Sequence, residues 1–352
     1  MGSAELLIKV LYWHVIPSMT TVIVTLGFII LLARVFKVRS PRWLYWLFWV
    51  PLAKGFVVLI SGVHSPPAVP TTMPFAFGIR LWDPLNLISI PAAFETLPVV
   101  PSVVDQMTIG VFCLLLLALV WRWVSLFIFY RSLGGEELHT EDAPRLFRVL
   151  DRLVDAMGTC YPRVTVSAKP YILPCIIGVF KPTLVLSPEL AEESPDDILE
   201  AILAHELAHL KRRDNLLHWI SAILRDTLAV NPFIYTVYPK IVTAKEQDCD
   251  RIASDVTGKP EAMAQAIAYS AAVASEKGMK PLPGYMSGVS KLTSTGKLIN
   301  RRVSILLAST SAGKQKVHWA KSSIVVILAF LALLVHVSMT KPFPLLFPVL
   351  QF

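Results

Sequence analysis

The residues best equipped for chemistry are His205, Glu206 and His209, an H-E-x-x-H pattern inside the strongly helical stretch Ala204-His205-Glu206-Leu207-Ala208-His209. Positions four apart share one helical face, so both imidazoles project toward a common point. Two nitrogen donors in that arrangement suit a tetrahedral zinc, with Glu206 placed as general base for the attacking water. A catalytic zinc needs a third protein ligand. Downstream, Glu246-Gln247-Asp248-Cys249-Asp250 offers one on a second predicted helix, with Glu246 the first choice and Asp248 the weaker one by helical angle. Asp250 follows Glu246 by one turn and faces the same way. It is placed to accept a hydrogen bond from the far nitrogen of a ligand histidine, which fixes the ring's tautomer. Cys249 reads as a buried small residue rather than a ligand, and Arg212, Arg213 and Asp214 read as structural residues closing the motif helix. The expected chemistry is hydrolysis, with Glu206 passing a proton from water to a leaving amine.

The elements that must position these groups are legible around them. Ser194 is expected to cap the motif helix, with Pro195 at its first position and Asp196 and Asp197 at the positive end of its dipole. Ile198, Leu199, Ile202, Leu203 and Leu210 supply its buried face. Residues 143–157 read as an amphipathic helix with Leu146, Val149, Leu150 and Leu153 on one side. The β-branched runs 164–166 and 183–186 read as strands, with 176–180 a possible third. Ile176, Val179 and Thr183 lie in the strand-rich segment just before the motif helix. An edge there could pair with an extended substrate backbone, and these three residues are the candidate substrate contacts. Lys181-Pro182 would interrupt such pairing at one end.

Hydrophobic residues make up 54% of the 352-residue chain and charged ones 16%, too apolar for an ordinary soluble protein. The formal net charge of +8 comes from basic clusters beside long apolar runs. That pattern points to a membrane face, and without interleaved aromatics or a nucleic-acid fold it excludes nucleic acid as a partner. Cys113, Cys160, Cys175 and Cys249 form no close pair, so neither a disulfide framework nor a cysteine zinc site is expected. Four membrane spans are expected, at 11–32, 43–62, 107–129 and 322–339. Lys54, inside the second, is either a functional group or a snorkelling one. Residues 216–230 read as an amphipathic helix on the membrane-facing side, since Arg225 and Asp226 are costly in hydrocarbon.

Arg34, Lys37, Arg39 and Arg42 follow the first span, and Arg301, Arg302, Lys314, Lys316 and Lys321 precede the last. Between them, 63–106 holds eight of the 26 prolines and one basic residue, Arg80. The positive-inside rule then places the N-terminus, 63–106 and the tail outside. The expected organisation is a two-helix segment at 1–62, an external Pro-rich loop at 63–106 and a third helix at 107–130. A cytoplasmic catalytic domain at 131–321, a fourth helix at 322–339 and a short external tail at 340–352 complete it. Within the domain, 278–297 is rich in Gly, Pro, Ser and Thr and reads as a mobile loop, a candidate self-cleavage site.

Four features occur in order: Gly178 to Pro182 leading into Thr183-Leu184-Val185-Leu186, then His205-Glu206-Leu207-Ala208-His209 through Asp214, then Asn231-Pro232, then Glu246 with Cys249-Asp250. This resembles the BlaR/MecR-type integral-membrane zinc metallopeptidases, whose pattern is G-x-x-x-P, H-E-L-x-H-x-x-x-x-D, an asparagine-proline pair and E-x-x-C-D. The resemblance implies an α+β membrane protein with four transmembrane helices and a cytoplasmic gluzincin-like peptidase domain between the third and fourth. It implies Zn2+ as cofactor, held by His205, His209 and Glu246, with Glu206 as base and Asp250 behind the ligands. It further implies regulatory or signal-transducing proteolysis at the cytoplasmic face of a bacterial inner membrane.

One departure stands out. The antibiotic sensors of that family carry a penicillin-binding domain after the last span, whereas here only Thr340 to Phe352 follow it, so a β-lactam sensor is disfavoured. The expected partners are a protein or peptide substrate, the lipid bilayer and a cytoplasmic regulatory protein; the oligomeric state stays open. Two other readings compete: a quality-control or prenyl-protein zinc protease, and a catalytically latent membrane signalling or scaffold protein.

Overall fold

The computed structural model describes residues 11–61, 102–133, 135–167, 174–187, 190, 192, 194–276, 296–311, 323–324 and 326–329. These fall into two compact units. One draws on Met1–Trp121, Ile223–Ile241 and His318–Phe352, the other on Arg122–Ala222 and Val242–Val317.

In the first unit a π-helical turn, Leu11–Val15, leads into α1 (Ile16–Val35), and a short connection returns the chain through α2 (Pro41–Ser61). Both are long and apolar enough to cross a membrane. The chain is thus an α+β membrane protein with two apolar helices of spanning length. The α1 face buried against α2 carries Ser18, Val22, Leu26 and Ile29, one residue per turn. Close approach depends on Gly55: a Cβ there would lie 2.3 Å from a Val22 methyl. Ser18 Oγ donates to the Gly55 carbonyl at 2.9 Å, the small-residue packing that apolar helices use where hydrophobic burial gives no drive.

The third expected span falls within α3 (Ser102–Ser132), whose described apolar run is Leu116–Phe129. Residues 102–106, expected in a loop, already belong to this helix. Of the expected fourth span only 323–324 and 326–329 are described. The remainder of the 63–106 loop, 278–295 of the expected mobile loop and the tail 340–352 lie outside the described residues.

The second unit opens with β1 (Glu136–Glu137), followed by α4 (Pro144–Met157), β2 (Arg163–Val166), β3 (Cys175–Ile177) and β4 (Thr183–Leu186). Helix α4 buries Leu146, Leu150 and Leu153 and ends at Gly158 in the left-handed conformation. The sheet order is β1-β2-β4-β3, with β2 and β4 parallel and the outer pairs antiparallel. The polar two-residue β1 was not apparent from sequence, because nothing in Glu-Glu signals a strand.

Among the described residues the helices α5 (Asp196–Lys211), α6 (Asp214–Thr227), α7 (Ile234–Thr257), α8 (Pro260–Glu276) and α9 (Gly296–Ser311) follow. Helix α5 is buried on every side from Ile198 to His209, packing on α4, α8 and β3, so it forms the axis of this core rather than its skin. Its fully buried Leu199 and Leu203 each contribute about 1.5–3 kcal/mol of apolar burial.

Its start corrects one expectation. Pro195, not Ser194, occupies the cap position and no side chain caps the helix. The Ser194 hydroxyl is buried and donates instead to the Leu190 carbonyl at 2.6 Å, leaving Asp196 and Asp197 to answer the dipole. Helix α6 covers most of the stretch after the motif, and its costly charges are buried against partners: Arg225 pairs with Asp226 at 2.7 Å and lies over the Tyr238 ring. Asn231 then turns the chain, its side-chain oxygen accepting from Phe233 N–H at 3.0 Å.

Candidate metal centre

One turn apart on α5, the His205 and His209 rings stand edge to face with centroids 4.9 Å apart. Helix α7 brings Glu246 to them. Its Oε2 lies 3.5 Å from His205 Nε2 and its Oε1 3.8 Å from His209 Nε2. The three residues are buried, and their ligand atoms all lie within 4.8 Å of one another. His205 Nε2, His209 Nε2, both Glu246 carboxylate oxygens and Glu206 Oε2 lack hydrogen-bond partners at this point, as does His205 Nδ1 on the ring's far side, whose 2.9 Å approach to Asp250 is an ion-pair contact. Buried polar atoms are ordinarily paired, and leaving several unpaired in one place costs about 1–3 kcal/mol each. Two imidazole nitrogens and a carboxylate form a donor set suited to Zn2+. Of the unpaired atoms, His205 Nε2, His209 Nε2 and the Glu246 oxygens are ones a zinc ion would satisfy, so the residues present fit it.

Behind these three residues lies a second layer. His205 Nδ1 faces Asp250 Oδ1 at 2.9 Å, and Asp250 receives a two-pronged contact from Arg302 on α9, with Nε at 2.6 Å and Nη2 at 2.5 Å. His209 Nδ1 lies 2.8 Å from Asp214 Oδ2, and Arg212 Nε reaches the same carboxylate at 3.1 and 3.2 Å. Arg212 also pairs with Asp248, which Arg251 holds from its other side at 2.9 Å. Asp248 is thereby directed away from Glu246 and the histidines. Cys249 Sγ sits 3.2 Å from His209 Nδ1 and 3.4 Å from Asp214. The candidate ligand atoms of His209, Asp214 and Cys249 also lie within 4.8 Å of one another. Burial and Asp214 push the thiol well up, and the Arg212 guanidinium stands beside the carboxylate, so this group reads as support for His209.

Charge balance in the site follows from these contacts. Burial acts to raise the Glu246 carboxyl but is outweighed by Lys245, the histidines and Arg302, which hold it well below its ordinary range. For Glu206 burial wins over the two histidines and the carboxyl is raised, which strengthens it as a proton acceptor. Burial opposes a charged His205, yet Asp250 and Glu246 push its pKa up to about 10. Asp250 and Asp214 are both lowered against burial, the first by Arg302, the second by His209 and Arg212.

The candidate substrate contacts are placed differently from one another. In the described sheet β3 is one of the two outer strands, so Ile176 lies on an open edge, and its backbone N–H is bonded to Glu206. Thr183 begins β4, paired on both sides by β2 and β3, so it offers no free edge. Val179 lies in the turn between them. Gly178 opens that turn at φ 85°, where a Cβ would meet the Lys181 carbonyl at 2.4 Å. Asn215 at the start of α6 donates to the Gly178 carbonyl at 2.6 Å, tying the turn to the end of the motif helix.

Two residues of the second layer escaped the sequence reading of the site. Asp214 is five residues from His209, a spacing that faces nothing on a continuous helix. The helix ends at Lys211, and Arg213 at φ 57° reverses the chain so that Asp214 returns to the imidazole. The signal was a D five residues after the second histidine. Arg302 carried no local signal, because its partner is 52 residues away.

A buried H-E-x-x-H helix with an acidic residue delivered from a second helix, in a chain with membrane-spanning helices, defines a membrane-associated zinc metallopeptidase. The chain belongs to the BlaR1 peptidase M56 family, which matches residues 13–306. Protease HtpX homolog of Gemmatimonas aurantiaca is 25% identical over 233 residues, 53% of this chain and 83% of that protein. Regulatory protein BlaR1 of Bacillus licheniformis is 30% identical over 91 residues, 26% of this chain and 15% of that protein. Protease HtpX homolog of Pyrococcus furiosus is 28% identical over 112 residues, 31% and 38% of the two chains.

Proposed function

We propose that this enzyme is a metalloendopeptidase cutting an extended peptide segment at the cytoplasmic face of a bacterial inner membrane, in regulatory or signal-transducing proteolysis. The observation carrying this reading is the convergence of unpaired donors from His205, His209 and Glu246 beside the unpaired Glu206 oxygen. In this reading the first three hold Zn2+, Asp250 orients His205, and Glu206 is the base. When bound, zinc acts as a Lewis acid toward the scissile carbonyl. Glu206 takes the proton of the attacking water and returns it to the leaving amine. Its other contact, with the Ile176 N–H, sets it against the open edge of β3, along which the substrate backbone would lie.

The orientation rests on charge. Basic residues flank the apolar segments on one side, which supports four spans with the 131–321 region cytoplasmic. A regulatory protein on that side is then a natural partner. A second reading, a membrane quality-control zinc protease, draws on the longer match to the HtpX homologue of Gemmatimonas aurantiaca, 233 residues against 91 for BlaR1.

The test is Glu206→Gln in the full chain. It is expected to retain zinc, measured by elemental analysis, and to lose peptidase activity by about 10²–10⁴-fold. Fragments that vanish from cells carrying this variant, mapped by terminal proteomics, identify the substrate, and new termini within 278–297 of the wild type would make the chain its own substrate. Peptidase activity undiminished in Glu206→Gln would sink the assignment of the base.

A further inference from the structure

We infer that Arg302 is a positioning residue of the zinc site, acting through Asp250 to hold His205 with Nε2 turned to the metal. The inference rests on the ligand set proposed above. Asp250 presents two oxygens. Arg302 Nε takes Oδ2 at 2.6 Å, and Arg302 Nη2 shares Oδ1 with His205 Nδ1, at 2.5 and 2.9 Å. A planar guanidinium meeting a carboxylate through two prongs fixes the plane of that carboxylate, which a single-point cation cannot do. With the carboxylate plane fixed, Oδ1 faces Nδ1 and the ring's other nitrogen is left for the metal.

The same guanidinium answers a second need. Asp250 and Glu246 are one turn apart on α7, a like-charge pair that repels. Arg302 Nη1 lies 3.8 Å from Glu246 Oε2, so one cation faces both carboxylates. Its own placement is secured by α9, where Leu306 one turn further on is buried in the core, with Ile299 and Val303 packed beside it. Arg302 is 6% exposed, and a residue serving only as a membrane-flanking charge has no reason to be buried at this depth.

The experiment compares Arg302→Met, Arg302→Lys, Asp250→Asn and the Asp250→Asn/Arg302→Met double variant in the full detergent-solubilised chain. Zinc affinity is read by chelator competition, and ligand geometry by the visible spectrum of the cobalt-substituted protein. Arg302→Met is expected to weaken zinc about 10–100-fold, the range for losing a group that orients a ligand. Arg302→Lys keeps the charge but not the fork, so it is expected to bind zinc less tightly than wild type, shift the cobalt spectrum and fold even where Arg302→Met does not. The double variant is expected to bind no more weakly than its worse single variant.

Wild-type affinity and spectrum in Arg302→Lys would overturn the positioning role and leave a charge alone. Additive losses in the double variant would overturn the route through Asp250. A wild-type chain that binds no zinc would instead overturn the ligand set on which the inference rests.

Discussion

The two motif histidines are held by similar devices built from different distances along the chain. Behind His209 stand Asp214 and Arg212, both within five residues of it, with Arg212 10% exposed at its side chain and also bound to Asp248. Behind His205 stand Asp250 and Arg302, from two other helices, with side chains 3% and 6% exposed. The near support is a turn: Arg213 in the left-handed region folds the chain back on its own helix. The far support is a packing event that needs α5, α7 and α9 together. Local support forms with its helix, whereas remote support reports whether the core is assembled.

The largest expected effect separates the two. Asp250→Ala takes both close contacts from the buried Arg302 guanidinium and leaves it only Glu246 at 3.8 Å, a loss of about 3–5 kcal/mol. Asp214→Ala is expected to cost less, because Arg212 keeps Asp248. Denaturant midpoints of the two variants after metal chelation check this, and equal losses would erase the distinction between near and far support.

Acidity sharpens it further. His205 has its folded pKa raised to about 10, above the ordinary value of about 6.5. Its contribution to stability is therefore fully present below about pH 6.5 and lost as pH rises through about 10. Asp250 and Asp214 are lowered, so theirs is present above the ordinary aspartate range and lost as pH falls through their folded values. Melting of the chelated chain against pH is expected to decline on both sides, and His205→Gln to remove the alkaline decline. An alkaline decline that survives in His205→Gln would show that the far support is not its source.

The smallest effect belongs to Cys249, which touches His209 and Asp214 through a weak sulfur contact. Cys249→Ala is expected to change zinc affinity by less than about tenfold. A larger loss would mean that the thiol, not Asp214, carries the near support.

How much was legible follows the same division. His205, Glu206 and His209 were readable because a helix repeats every 3.6 residues, and Glu246 with Asp250 for the same reason. Helix α4 and strands β2 and β4 announced themselves by periodicity and β-branching. Asp214 was read as a residue that merely closes the motif helix, because nothing local shows that the positive φ at Arg213 turns it back to His209. Arg302 was hidden by context: beside an apolar run a basic residue reads as a topology signal, and only tertiary packing shows it buried against Asp250. Ser194 looked like a cap, but its hydroxyl found a nearer acceptor in Leu190. Thr183 looked like edge until the sheet order set β4 between two partners.

Chain order gives the Arg302–Asp250 pair a meaning in time. Synthesis runs from the N-terminus, so His205, His209 and Glu246 are all made before Arg302, which follows Asp250 by 52 residues. A growing chain thus owns its three donors before it owns the guanidinium that sets one of them. A chain ending between α8 and α9 would hold the whole H-E-x-x-H helix and Asp250 but lack the guanidinium that pairs with Asp250.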